Sequence, residues 1–177
     1  NLVATDQMVD TPTNNFATIN PLTIFDSHTL AEGNLSLTGG NDCTATFGFK
    51  SGKWYWEMYG GNTTTRAHVG IICTNCASAN DMYVSSKSDI LMVRDDDVDA
   101  SDVGNGFGIS AMSSNSATLA AWTTGDIISM SLDLDSPRFI IKKNGAEIFN
   151  RTFTYTGENF IWPWYRNNTG RLNIHNF

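Results

Sequence analysis

The run from Ile127 to Phe153 constrains this chain more than any other stretch. Ile128, Met130, Leu132 and Leu134 alternate with Ile127, Ser129, Ser131 and Asp133. An extended chain sends every second side chain to the same face, so this period marks a strand half-buried against a core. Asp135-Ser136-Pro137-Arg138 has turn chemistry, because the Pro ring fixes its φ. Phe139–Lys143 predicts a second strand. Asn144-Gly145 then supplies two residues that tolerate positive φ, the signature of a tight hairpin. Ala146–Phe153 is the third strand. Thr124-Gly125-Asp126 forms the turn that leads in. Three strands joined by two short turns make an antiparallel meander.

The rest of the chain fits an all-β domain. It has 177 residues, enough for one domain with a sizeable core. Only 16% are charged, and the strong polar helix formers are scarce, with one Gln and four Glu. Ser, Thr and Asn fill the gap. From Leu30 onward, short apolar runs are punctuated by Gly, Asn and Asp, and no stretch longer than about ten residues keeps a helical period. Further strands are predicted at Leu35–Thr38, Ala45–Phe49, Lys53–Tyr59 and Ala67–Cys73. Ser51-Gly52 is a turn into Trp54-Tyr55-Trp56-Glu57-Met58, where Trp54, Trp56 and Met58 share one face. Residues 1–29 read as an extended arm, because Pro12 and Pro21 forbid a helix or a central strand. Phe16, Ile19 and Leu22 are its expected anchors on the edge of a domain spanning 30–177. Periodicity alone leaves a two-sheet sandwich and a barrel both open. The chain begins at Asn1, as expected of a processed or excised piece of a longer product.

Charge narrows the partners. The formal net charge is −7 and the pI is near 4.7, which disfavours nucleic acid, whose binders present a basic face. No run approaches the roughly 18 apolar residues of a membrane span, so no membrane insertion is expected. No secretory or Arg-rich leader is visible. Cys43, Cys73 and Cys76 are an odd number, and Cys73-Thr74-Asn75-Cys76 stands alone without two further ligands at zinc spacing. No metal, no structural disulfide and no cofactor are expected.

Several separated motifs, in order, resemble SPRY domains. Gly52-Lys53-Trp54-Tyr55-Trp56-Glu57 with His68-Val69-Gly70-Ile71 is similar to their opening. Gly125-Asp126-Ile127-Ile128 through Leu132-Asp133-Leu134-Asp135 is similar to their central strand. Phe139-Ile140-Ile141-Lys142-Lys143-Asn144-Gly145, Trp162-Pro163 and Asn176-Phe177 complete the series over roughly residues 45–177. The resemblance implies a concanavalin-like sandwich of two antiparallel sheets. The segment Asp10–Leu22 resembles the leader of SPRY-like modules in bacteriophage tail fibres and related virion proteins, which implies an extracellular phage particle as the setting. Trp164-Tyr165-Arg166 departs from the family's Ala-Val-Ser, and Asp81 to Val103 aligns with nothing in it.

The candidate binding residues lie in the least periodic segments. Asp95, Asp97 and Asp99 alternate within the cluster that follows Arg94. Their spacing suits calcium, but the EF-hand Gly and Glu are missing, and a solvated acidic loop accounts for the same residues. The cluster Arg94–Asp102 would repel anionic glycans or contact a basic partner. Tyr83, in the loop Asn75–Tyr83, and Trp164, Tyr165 and Arg166, in an expected turn Trp164–Asn168, offer aromatic faces and a planar donor fork for a sugar ring or a peptide side chain. Core positions on the last strands are the competing reading for Trp162 and Trp164. No nucleophile elbow, P-loop or dinucleotide motif is present, so no catalytic residue is assigned. The expected function is a non-catalytic recognition module of a phage tail fibre or virion appendage. Its partner would be a host surface glycan or protein, and it would be homo-oligomeric, a trimer if part of a fibre. The alternatives are a structural or decoration protein contacting other virion subunits, and a polysaccharide-degrading enzyme.

Overall fold

The structure, a computed structural model, describes residues 17–23, 29–39, 41–60, 65–73, 90–94, 101–103, 122–169 and 171–176. Twelve strands run through the described residues: β1 (Thr29–Ala31), β2 (Ser36–Thr38), β3 (Asn41–Thr44), β4 (Lys53–Gly60), β5 (Thr65–Cys73), β6 (Ile90–Arg94), β7 (Ser101–Val103), β8 (Ile127–Asp133), β9 (Arg138–Lys143), β10 (Ala146–Thr152), β11 (Ile161–Thr169) and β12 (Arg171–Asn176). They form a seven-stranded sheet in the order β1-β2-β12-β4-β8-β9-β10 and a five-stranded sheet in the order β3-β11-β5-β6-β7. Every pairing between named strands is antiparallel. The fold is the all-β, two-sheet antiparallel sandwich expected from composition and motif order.

Alternation places the core. Ile128, Met130, Leu132 and Leu134 of the β8 run are buried, with Trp56 and Met58 of β4 and Phe139 and Ile141 of β9 beside them. Val69 and Ile71 of β5, Ile161 and Tyr165 of β11 and Cys43 of β3 supply the facing layer. The Trp56 and Phe139 rings stack with centroids 6.0 Å apart. The β9–β10 turn is the predicted hairpin, with φ of 49° at Asn144 and 83° at Gly145.

The arm packs on the domain through Ile19, as expected, but not through Leu22. Among its described residues, Ala17 and Ile19 are buried in the core, and Ile19 bridges Ala45. Its amide donates to the Asn34 carbonyl at 2.9 Å. Leu22 is no anchor among the described residues: it is 89% exposed, on the 3-10 turn Pro21–Thr23. Phe16 lies outside the described residues. At the end of this stretch, the Thr23 hydroxyl meets the Thr44 hydroxyl at 2.9 Å.

Two other expectations need correction. Ala45–Phe49 is no strand; regular pairing covers Asn41–Thr44 instead. The cause is Pro163. Its carbonyl accepts from Ala45 at 3.0 Å, and Phe49 and Ile161 exchange both backbone bonds, at 2.8 and 2.9 Å. Proline has no N–H to offer between those points. The stretch from Ala45 to Phe49 is two residues longer than the stretch from Ile161 to Pro163, so it bulges. Thr46 turns its hydrogen bonds to Thr18 of the arm, giving its amide to the Thr18 carbonyl at 2.8 Å and accepting the Thr18 amide on Oγ1 at 3.0 Å. The second correction is the turn expected at Trp164–Asn168, which is the middle of β11.

Candidate aromatic surface at one end of the sandwich

Strand ends define the two ends of the sandwich. One end carries the start of β4, the turn after Asp133 and the stretch 153–160. It also carries Cys73 and Ile90, since Ile161 pairs with Cys73 and Ile72 with Ile90. The opposite end carries the Asn144-Gly145 turn, Gly60 and Thr65, with Arg94 in register with His68 on that side of β5.

The sequence-derived candidates separate between these ends. Tyr83, Asp95, Asp97 and Asp99 lie outside the described residues. Tyr83 falls in sequence between Cys73 and Ile90, which stand at the first end. Arg94 closes β6 toward the second, and the expected loop Arg94–Asp102 is shorter than foreseen, because Ser101 and Asp102 belong to β7.

Trp164, Tyr165 and Arg166 follow one another on β11 and divide between the faces of its sheet. Tyr165 points into the sandwich and is fully buried. Burial pushes its phenol well above the usual range, and neighbouring Cys43 adds to the effect while the Trp56 side chain opposes it. Trp164 lies on the other face, in register with Gly70 and Thr44, and is also fully buried, its ring centroid 6.2 Å from that of buried His68. Full burial withdraws Trp164 and Tyr165 from contact with a ligand, and corrects their assignment as rim residues. Tyr165 belongs to the core between the sheets, and Trp164 is buried beside His68 on the opposite face of its sheet. Arg166 is half-buried and sits in register between Asp42 and His68.

The surface that does present aromatic rings was not singled out from sequence. Trp54 lies on the core-facing side of β4 but at the strand's open end, and is 42% exposed. Its ring stacks on buried Phe49 with centroids 4.1 Å apart and planes 16° from parallel. Its indole N–H donates to the Ser51 carbonyl at 2.8 Å. Beyond Phe49, Lys50 places its ammonium 4.8 Å from the Phe160 ring centroid, and Phe160 lies 5.8 Å from Trp162. The Trp162 indole rests on Gly48, where a Cβ would come within 2.8 Å of it. Phe47 stands in the middle of the bulge and is 42% exposed, and Phe160 is 47% exposed. The sequence signal was available in Phe47-Gly48-Phe49-Lys50, but a strand reading hid it by assigning alternate residues to a core.

Charge of both signs stands at the same strand end, on the outer face of the seven-stranded sheet. Lys53 reaches Asp133 at 2.7 Å. Hydrogen bonding to Lys53 lowers the Asp133 carboxyl below its usual range, and the same contact raises the Lys53 ammonium. Asp135 accepts the Gly52 amide at 3.0 Å.

No family profile matches the chain, and no curated protein matches it in sequence. Solved structures do. The SPRY domain of human HERC1 superposes with a TM-score of 0.66 at 18% identity, over 90% of this chain and 98% of that one. The TRIM65 PSpry domain gives a TM-score of 0.65 at 13% identity, over 91% of this chain and 92% of that one. Likeness at such identities speaks to backbone architecture, and with the two-sheet strand order it establishes that this chain has the SPRY-type β-sandwich fold.

Proposed function

We propose that this chain is a non-catalytic recognition module that binds its partner through the aromatic end of the sandwich. One observation carries the reading. Of the large apolar side chains exposed among the described residues, Phe47, Trp54 and Phe160 fall at the same end of the sandwich, where Phe49 bridges Ile161. Scattered exposed apolar residues need no explanation, but a supported group of them marks a contact surface. Aromatic rings are the side chains that most often anchor such contacts. The SPRY-type scaffold favours an interaction module over an enzyme, and a rigid sandwich suits the display of a binding surface at its rim.

The setting we propose is a phage tail fibre or comparable virion appendage, with a host surface glycan or protein as the partner and a homo-oligomeric assembly. The leader-like segment Asp10–Leu22 supports this setting. The test is binding of the labelled chain to intact bacterial cells, beside a Trp54→Ala/Phe160→Ala double variant. We expect the wild-type chain to bind, the double variant to fold and lose binding, and no reducing ends to be released from the cells. Unchanged binding by a folded double variant would reject the placement, and released reducing ends would move the chain to the enzymes.

Leu22 favours a second reading, a structural protein contacting neighbouring virion subunits. At 89% exposed on the arm's 3-10 turn, it is an apolar contact awaiting a neighbour. On that reading, Leu22→Asp releases the chain from assembled particles while cell binding stays absent in both forms.

A further inference from the structure

Two Asn-Gly pairs stand in the chain, Asn105-Gly106 and Asn144-Gly145. Where Asn precedes Gly, the next backbone nitrogen can attack the Asn side-chain carbon, because no Cβ shields its approach. At Asn144 the Gly145 nitrogen forms a bond to Cγ, the Cγ–Nδ2 bond breaks, and Nδ2 leaves as ammonia with the proton given up by the Gly145 amide. Water then opens the five-membered imide at one of its two carbonyls. One opening leaves aspartate. The other leaves isoaspartate, which carries the main chain through Cγ and so lengthens it by a carbon at the turn. Water is the only co-reactant.

The fold withholds Asn144 from this reaction. Its Oδ1 accepts from the Ile127 amide at 2.9 Å, and its Nδ2 donates to Asp126 Oδ1 at 2.7 Å. The side chain therefore reaches across to the start of β8, and the Asn144 backbone amide ties the residue to the Ile127 carbonyl at 2.8 Å. Cγ swings back to the Gly145 nitrogen only when both side-chain bonds are broken. Asp126 is fixed in turn by the Thr123 amide at 2.7 Å and the Lys143 ammonium at 3.0 Å. Bulk gives no protection: Asn144 and Gly145 are exposed, and no atom lies within 4 Å of where a Gly145 Cβ would stand. Water thus reaches the turn freely, and the hydrogen bonds alone guard it. The product cannot be held in the same way. Aspartate puts a carboxylate oxygen where Nδ2 now donates, and two carboxylates at that distance repel unless they share a proton.

We infer that Asn144 is a deamidation site gated by opening of the β8–β10 meander: the closed turn protects it, and a chain that opens is converted to a form that can no longer make the Asn144–Asp126 bond. Peptide mapping after incubation in mildly alkaline buffer, with isoaspartate separated by chromatography, gives the rate at each Asn-Gly pair. In the guanidinium-unfolded chain, Asn144 and Asn105 convert at comparable rates. In the native chain Asn144 converts more slowly than in the unfolded one by about tenfold or more, since the opening equilibrium sets the reactive fraction. Asp126→Ala removes the acceptor of Nδ2 and raises the native Asn144 rate by about tenfold, the scale of a hydrogen bond to a charged group. Should that variant not fold, guanidinium graded below the unfolding transition takes its place, and the wild-type Asn144 rate rises with it. Asn144→Asp, which reproduces the aspartate product, lowers the denaturant midpoint. Equal Asn144 rates in the native and unfolded chains overturn the inference, as does a native rate indifferent to Asp126→Ala or to guanidinium. Conversion of Asn105 alone in the unfolded chain overturns it too. A midpoint unchanged by Asn144→Asp overturns the claim that the product loses the pinned turn.

Discussion

Asp126 is the side chain on which the β8–β9–β10 meander is pinned. It is buried, which by itself opposes its charge, yet its carboxyl is held down to about 2 from a usual 3.8. The donors that outweigh burial are the Thr123 amide at 2.7 Å, the Asn144 side-chain amide at 2.7 Å and the Lys143 ammonium at 3.0 Å. Because the folded-state value lies below the unfolded one, the carboxylate's contribution is fully present above about pH 4 and is lost as pH falls through about 2. We expect a contribution on the order of 1–2 kcal/mol, discounted for solvent near the strand end. Urea unfolding midpoints at pH 5, 3 and 2 measure it. The loss between pH 4 and 2 should be smaller in Asp126→Asn, which keeps acceptor capacity without the charge. Equal losses in both chains would assign the acid sensitivity to other carboxylates. The Gly-Asp pair before a strand was legible as a turn. Its link to Asn144 was not, because eighteen residues separate the two partners.

Elements differ in how openly their sequences announce them. The meander was readable because each strand is followed at once by its partner, so period, turn chemistry and pairing all sit within one window. The Asn144 side-chain carbonyl accepts from the Ile127 amide at 2.9 Å, and the Asn144 backbone amide donates to the Ile127 carbonyl at 2.8 Å, which closes the hairpin onto β8. At Gly145 no atom lies within 4 Å of where a Cβ would stand, so the positive φ is the whole cost of a side chain there. Gly145→Val should therefore lower stability by about 1 kcal/mol or more, read from the denaturant midpoint, and Gly145→Asn by much less. β11 shows the opposite case. A proline within a run ordinarily confines it to a sheet edge, and Trp164-Tyr165-Arg166 looked like a rim. Both signals are overridden because the missing N–H faces the bulged stretch 45–49, whose hydrogen bonds go partly to the arm. Nothing local in β11 shows that it will be flanked by β3 and β5. The aromatic end inherits this opacity, since Phe47 and Phe160 reach the same end of the sandwich only through the Phe49–Ile161 pairing.

On the scale of the whole molecule, the order of strands in space runs against their order in the chain. β12 sits between β2 and β4, and β11 between β3 and β5. The strands that complete both sheets are thus the last two of the twelve to be made. A chain still on the ribosome can form the β8–β10 meander but can close the five-stranded sheet only once Thr169 has emerged and the seven-stranded sheet only once Asn176 has, so final folding waits for synthesis to pass those points. Pairings this distant in sequence also make closure slow, since the intervening chain must be ordered before the contacts form. We expect ribosome-bound chains halted with residue 160 just outside the exit to be cut readily by protease, and chains halted with residue 176 well clear of it to resist. Equal resistance in the two would mean that the early strands settle without their central partners. The interval before closure leaves β2, β3, β4 and β5 with unpaired edges, so a strand from another growing chain can take the empty place. Where copies are made close together, this topology therefore carries a built-in route to strand exchange between them.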